Sequence, residues 1–407
     1  MFLSYIHIYN YANFAGKNKN KQINIYPFIM NKLKATIIAF ALTICATPLI
    51  AQNQKATQVL NTLRSTNSYF MKKYADPTLP TFVKRERPSS LWTRGVYYEG
   101  LMALNEIDPQ QSYIAYTDRW ASFHKWTPRN GVKTTHADDQ CCTQTYLMRY
   151  ETTKDDVMKK FVIEDFDNQI ATGRIDYWTW IDAIQMAMPA YAHLYKITGE
   201  RKYIDVAMKM YNWSRNECGG GCYNAKEGLW WRDKDFVPPY KEQDGNNCYW
   251  SRGNGWVYVA LCRVMDQLSP KDKYYKQLKK DFIAMSVALA KIQREDGFWN
   301  VSLVSPTTFG GKETTGTSLF LAGMSWGIRH GILAAKTYRP IVDKAWNGME
   351  TYAVHPNGFL GYVQGTGKEP KDGQPVTYTK VPDFEDFGLG CFLLGGVEYY
   401  KLLTSGK

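Results

Sequence analysis

Two short acidic stretches, HADDQ (His136–Gln140) and WTWIDA (Trp178–Ala183), carry the residues of this chain best suited to chemistry. Asp182 stands among Trp180, Ile181, Ile184, Met186 and Met188, where a helix is expected to be mostly apolar. A carboxylate placed there loses its hydration, which is costly without a partner. Two carboxyls facing one cavity raise each other's proton affinity, and an apolar wall raises it further. One then keeps its proton near neutral pH and serves as an acid while its neighbour accepts a hydrogen bond or orients water. Sugar chemistry commonly uses such a pair. Asp182 and Asp138 are therefore the candidate catalytic residues. Asp138 or Asp139 can alternatively cap a helix, a frequent role of Asp.

Other residues could hold a substrate. In YWSRGNGW, Arg252 joins a cation that grips carboxylates in a planar, two-pronged way to the stacking ring of Trp250; the alternative for Arg252 is pairing with a structural Asp. GLWW offers Trp230 and Trp231, one for the core and the other, taken as Trp231, for the mouth of a cavity. Trp92, before TRGVYY, stands where it could do likewise. His136 and Asp139 of HADDQ and Thr315 of KETTGTS complete the candidate contacts, the threonine hydroxyl either touching ligand or capping a helix. RGNGW has a glycine spacing but no preceding strand, which removes a nucleotide-binding reading. Six scattered His and no Cys pairs at ligand spacing speak against zinc. No metal or cofactor is expected.

These motifs need helices to position them. From residue 52 onward, apolar helical patterns alternate with amphipathic ones across short, aromatic, Gly-rich loops. Six such pairs can be traced, the last inner helix, FGLGCFLLGGVEYYKLL, taking as its partner the helix near Gln54 to Lys72. The member that is apolar or small all round is expected inside, and the one with a charged face outside. Six hairpins predict one all-α domain of about 350 residues, a closed ring of inner helices wrapped by outer ones. Asp138, Asp139, Asp182, RGNGW and KETTGT all fall at starts of inner helices, so their side chains should crowd one end of the ring.

Upstream, MNKLKATIIAFALTICATPLIAQ from Met30 has a basic start, an apolar run and small residues near Ala51, the layout of a secretory signal and too short for a comfortable membrane span. Residues 1–29 are expected to be a non-native extension, 30–51 the signal peptide and 52–407 the catalytic domain, exported to a bacterial periplasm or secreted. Five lysines and no acid lie in residues 1–51, so removing them lowers the net charge from +12 to +7. No Lys/Arg run of the nucleic-acid type is present. The 44% apolar and 15% aromatic shares fit a well-packed globular protein, and the moderate basicity fits an anionic small substrate better than DNA, or equally a solvated basic surface. Among the seven remaining cysteines, Cys218, Cys222 and Cys248 lie close enough in sequence for one disulfide in an oxidising compartment.

The ordered set HADDQ…QTY, IDAIQMAMP, GLWWRD, WSRGNGWVYVAL, ETTGTSLF…WGI and FGLGCFLL resembles glycoside hydrolase family 105, the unsaturated rhamnogalacturonyl hydrolases, and the related family 88 unsaturated glucuronyl hydrolases. The resemblance runs from about Ser89 to the end and implies an (α/α)6 barrel. It implies that Asp182 is the acid/base, Asp138 the second carboxylate, and Trp250 and Arg252 a Trp-x-Arg lying against an unsaturated sugar. It further implies removal of a 4,5-unsaturated uronic acid from lyase-generated oligosaccharides of the rhamnogalacturonan type. Thr143 and Gln185 depart from the residues common in relatives. Competing readings are an unsaturated glucuronyl hydrolase acting on ulvan or arabinogalactan fragments, an ordinary inverting exo-glycosidase, and a non-catalytic sugar-binding protein.

Overall fold

The computed structural model describes residues 52–83, 85–381 and 385–406, so the expected extension and signal segment lie outside the described residues. Helix α1 spans 52–73. Five helical hairpins follow: α2 (Trp92–Ile107) with α3 (Gln111–Phe123), α5 (Cys142–Thr153) with α6 (Val157–Ala171), α7 (Asp182–Thr198) with α8 (Lys202–Asn216), α9 (Ser251–Met265) with α10 (Lys273–Lys291), and α12 (Thr314–Arg329) with α13 (Ala335–Tyr352). Two one-turn helices, α4 (Ala137–Gln140) and α11 (Pro306–Phe309), sit in loops, and α14 (Asp386–Thr404) is the last element. Two small antiparallel hairpins, Thr81–Val83 with Arg85–Arg87 and Tyr223–Asn224 with Leu229–Trp230, are the strands among the described residues.

The inner helices α2, α5, α7, α9, α12 and α14 touch in that order, and α14 packs back on α2, which closes the ring. Burial follows the sequence pattern. Every residue of α12 from Thr314 to Ile328 is buried, whereas outer α10 buries only the stripe Leu278, Asp281, Phe282, Met285, Ser286 and Leu289, the spacing of one helical face. Helix α1 is the outer partner of α14 and α2: Leu63 lies against Gly396, and the Tyr97 hydroxyl donates to Asn67 at 2.8 Å. The expected six-hairpin barrel is the observed fold.

The seam between α14 and α2 depends on two glycines. A Cβ at Gly390 would stand 2.3 Å from the Val96 carbonyl oxygen, and one at Gly100 would stand 2.5 Å from the Gly390 carbonyl oxygen. Both obstacles are main chain and cannot rotate away. Gly390→Ala is therefore expected to destabilise the protein by about 1–3 kcal/mol, the cost of overpacking a tight core, with a matching fall in the denaturant midpoint. An unchanged midpoint would show the seam to be looser than drawn.

Short bridges lace the starts of three inner helices together. Trp180 pairs with Asp233, Trp250 with Ser302, and Trp299 with Glu313, each just before α7, α9 or α12 begins. Toward the opposite end, a cavity of about 180 Å³ is lined by residues of all six inner helices, among them Glu106, Glu151, Arg263 and Lys401. The expected disulfide is not formed: all seven described cysteines are thiols, and Cys222 Sγ donates to the Cys218 carbonyl at 3.6 Å.

Candidate active site

HADDQ folds as a single turn, and the residue that caps it is His136, whose Nδ1 accepts the Asp138 N–H at 3.3 Å. The two aspartates then part company. Asp139 is held by Arg129 Nη1, Asn130 Nδ2 and Thr134 Oγ1, each donating at 2.9 Å. Its carboxylate organises the loop before it, and the residue is 5% exposed. Asp138 receives no side-chain hydrogen bond among the described residues; its nearest partner is His136 Nδ1 at 4.0 Å, and 28% of its side chain is exposed. Asp138 feels the charge of Asp182 directly.

Asp182 is the first residue of α7 and is almost fully buried. Its partner is one that reading the sequence missed: Arg232 Nε donates to Asp182 Oδ2 at 3.2 Å, while Arg232 Nη1 donates to Asp233 Oδ2 at 2.6 Å. The Ile181 N–H donates to the Arg232 carbonyl at 2.9 Å, so the bridge that starts α7 also places the arginine. The signal lay in GLWWRD, where an Arg–Asp pair follows the tryptophans.

Burial pushes the Asp182 carboxyl up, and the guanidinium groups of Arg232 and then Arg252 pull it back down. Asp138 is pushed up to about 7, first by burial and then by the charge of Asp182. Burial lowers His136 below the usual imidazole range. Asp138 therefore keeps its proton up to about neutrality beside an Asp182 whose own proton affinity burial raises, conditions that suit acid catalysis on an enol ether or a glycoside.

The remaining candidates divide by depth. His136 sits on the rim with 55% of its side chain exposed, its ring 4.8 Å from that of Trp180. Trp92 is half-buried, with its ring centroid 5.3 Å from Phe387. Trp230 and Trp231 are both buried, which differs from the expectation that one would line the mouth. Trp250 is buried and donates its indole N–H to Gln364 Oε1 at 2.8 Å. Arg252 is 1% exposed; its Nη1 and Nη2 donate to the carbonyls of Gln364 and Gly365, each at 2.8 Å. The expected two-pronged grip on a substrate carboxylate is thus occupied by main chain. The Thr315 hydroxyl donates to Glu313 Oε1 at 2.5 Å, and Glu313 caps α12 by accepting the N–H groups of Thr315 and Gly316. Thr315 is a capping partner rather than an exposed contact. Among the described residues, no group of three or more His, Cys, Asp or Glu could hold a metal ion.

With this geometry in place, the sequence profile of Glycosyl Hydrolase Family 88 matches residues 62–403. The chain belongs to that family. A relative from Formosa agariphila, an unsaturated 3S-rhamnoglycuronyl hydrolase, is 30% identical over 336 residues, covering 76% of this chain and 84% of its own. A second of the same description, from an Alteromonas species, is 30% identical over 65% of this chain and 66% of its own. A solved family 88 hydrolase from Bacteroides vulgatus superposes with a TM-score of 0.78 at 30% identity, over 85% of this chain and 99% of that one. The unsaturated glucuronyl hydrolase of Streptococcus agalactiae, 13% identical with a TM-score of 0.62, covers 85% of this chain and 91% of its own and shares the fold. This family 88 chain is therefore a glycoside hydrolase built on a helical barrel. No described helix is long and apolar enough to cross a membrane.

Proposed function

We propose that this family 88 enzyme removes a 4,5-unsaturated uronic acid from the non-reducing end of lyase-generated oligosaccharides by hydrating the C4=C5 enol ether. The observation that carries the reading is that Asp138 feels the charge of Asp182, the buried first residue of an inner helix, with the Arg232 guanidinium against it. Asp182 delivers a proton to C4, and positive charge develops at C5 beside the ring oxygen. Water adds at C5 and returns a proton to Asp182, while Asp138 accepts a hydrogen bond from that water. The hemiketal so formed opens and releases the neighbouring sugar, so the anomeric carbon is never attacked. The relatives' description joins a glycuronyl unit to a rhamnose-type one and so favours rhamnose-containing fragments, of the rhamnogalacturonan or the ulvan kind. We assign the catalytic unit to residues 52–407, export to residues 30–51, and substrate contacts to His136 and Trp92 at the rim.

A panel of lyase-generated disaccharides tests this. Loss of the ultraviolet absorbance of the conjugated enol ether, with no action on the saturated counterparts, is expected. Turnover of saturated uronides with anomeric inversion would establish the ordinary glycosidase instead, and binding without turnover the non-catalytic reading.

The pH dependence has a definite sign. Asp138 sits at about 7 in the free enzyme, so it holds its proton below that pH and loses it above. Hence kcat/KM should fall tenfold per unit as pH rises beyond about 7. In Asp138→Asn, a less active protein, that alkaline limb should move, because the group that titrates near 7 is gone. A limb that stays in place would remove Asp138 from the titration.

A further inference from the structure

Two arginines stand beside Asp182, and they are differently engaged. Arg252 is enclosed: its two terminal nitrogens serve the Gln364 and Gly365 carbonyls, and its guanidinium lies 4.5 Å from the Trp250 ring and 4.9 Å from that of Phe387. Its visible work is to hold the loop around Gln364 over the start of α9. Arg232 is held at its base by the Ile181 bridge and at Nη1 by Asp233, at 2.6 Å. Its contact with Asp182, through Nε, is the longer one at 3.2 Å. Nε and Nη2 form the side-on fork of a guanidinium, the edge that meets a carboxylate with two parallel hydrogen bonds. Here Nε has one carboxylate oxygen and Nη2 carries no hydrogen bond among the described residues. It is not among the enclosed nitrogens, and 20% of the side chain is open to solvent. An arginine fixed at one end, half-engaged at its binding edge and open beside the two catalytic carboxyls has the form of a receptor for a second anion.

We propose that Arg232, not Arg252, receives the C6 carboxylate of the unsaturated uronyl unit, taking it on Nη2 and sharing or yielding Nε. This rests on the hydration reading of the same site. It makes Arg232 a specificity residue with a second effect. The Nε bond that the substrate would draw away is among the influences that pull the Asp182 carboxyl down against its burial. An anionic substrate therefore loosens it as it binds, which raises the proton affinity of Asp182. A neutral substrate leaves Arg232 on Asp182.

The test compares an unsaturated disaccharide with its C6 methyl ester, using wild-type enzyme and the Arg232→Met, Arg232→Gln and Arg252→Met proteins. Wild type should prefer the acid by about 10²-fold in kcat/KM, the scale of charge-assisted pairing. In Arg232→Met and Arg232→Gln that ratio should collapse toward one, most of the loss falling on the acid. In Arg252→Met the ratio should persist, whatever the absolute rate. A merely structural Arg232 would lower both substrates alike, and an unchanged ratio in its variants overturns the proposal. So does a wild-type ratio near one, a result that stands even if neither Arg232 variant folds. Should wild type hydrate neither substrate, the functional reading fails. Calorimetry with saturated glucuronate and galacturonate then judges Arg232 separately: equal binding to wild type and Arg232→Gln, or none to either, overturns it.

Discussion

Asp182→Asn protein is expected to hydrate unsaturated uronides at least about 10³-fold more slowly than wild type, the upper part of the range for loss of a positioned acid/base. The amide is nearly isosteric and can still accept the Arg232 Nε–H through its oxygen, so the barrel and the arginine should stay in place. What it lacks is a proton to deliver to C4 and a base to take one from water. Burial already makes ionised Asp182 expensive, so its melting temperature should equal or exceed that of wild type, a common trade of activity against stability at active sites. Progress curves read from the enol-ether absorbance, with circular dichroism as the folding control, decide it. Wild-type turnover by the variant would mean that Asp182 is not the acid.

The second large effect concerns stability. Glu99 on α2 is wholly buried and ion-paired with Arg263 of α9 across the ring, with Gln185 Nε2 donating at 3.0 Å and Cys141 Sγ at 3.4 Å. Burial pushes this carboxyl up, and Arg263 is the strongest influence pulling it down. Arg263→Met strips the cation and leaves the carboxylate in the interior, a change that costs about 3–5 kcal/mol when one partner of a buried pair is removed. With roughly 2 cal/mol/K of unfolding entropy per residue, that is a melting temperature lowered by about 5 °C. The sign with pH follows from the same group. Without Arg263 the folded-state pKa of Glu99 rises further above its unfolded value, so the loss is greatest at high pH and shrinks as pH falls and the carboxyl takes up a proton. A deficit that is equal at pH 5 and pH 8 would contradict this account.

The barrel was legible because its signal is repeated. An inner helix such as α12, small and apolar all round, cannot be solvent-facing, and six such segments paired with amphipathic ones leave few arrangements other than a ring. The helix starts fell within a few residues of expectation, which placed Asp138 and Asp182 at one end. What stayed hidden was decided by partners distant in sequence. HADDQ reads as the start of one helix, yet the chain turns at Cys141, whose thiol is directed to Glu99 and the Trp92 carbonyl, 42 and 49 positions earlier. Asp138 and Asp139 are chemically identical in the sequence. Only the folding of Arg129, Asn130 and Thr134 around one of them tells them apart. Arg232 meets an aspartate 50 positions before it. Trp250 and Arg252 were expected against a ligand from their chemistry and the Trp-x-Arg resemblance; the loop near Gln364 that engages them has no periodicity that would predict its path. The expected disulfide is absent, although the Cys218 and Cys222 thiols adjoin each other as well as the Thr179 and Cys218 carbonyls.

The Gly100–Gly390 seam has a consequence for how the molecule comes into being. Thr93 and Asp386, which meet across it at 3.2 Å, are 293 positions apart, so the circle is completed by a segment that leaves the ribosome after nearly everything it must touch. Until then the nascent chain is an arc with greasy flanks on α2 and α12 and no neighbour to cover them. Contacts of such long range slow folding, and uncovered flanks invite association with other chains. Assembly of this enzyme is thus paced by its final twenty or so residues, and a chaperone that shields the arc would raise its yield more than one acting on any single hairpin.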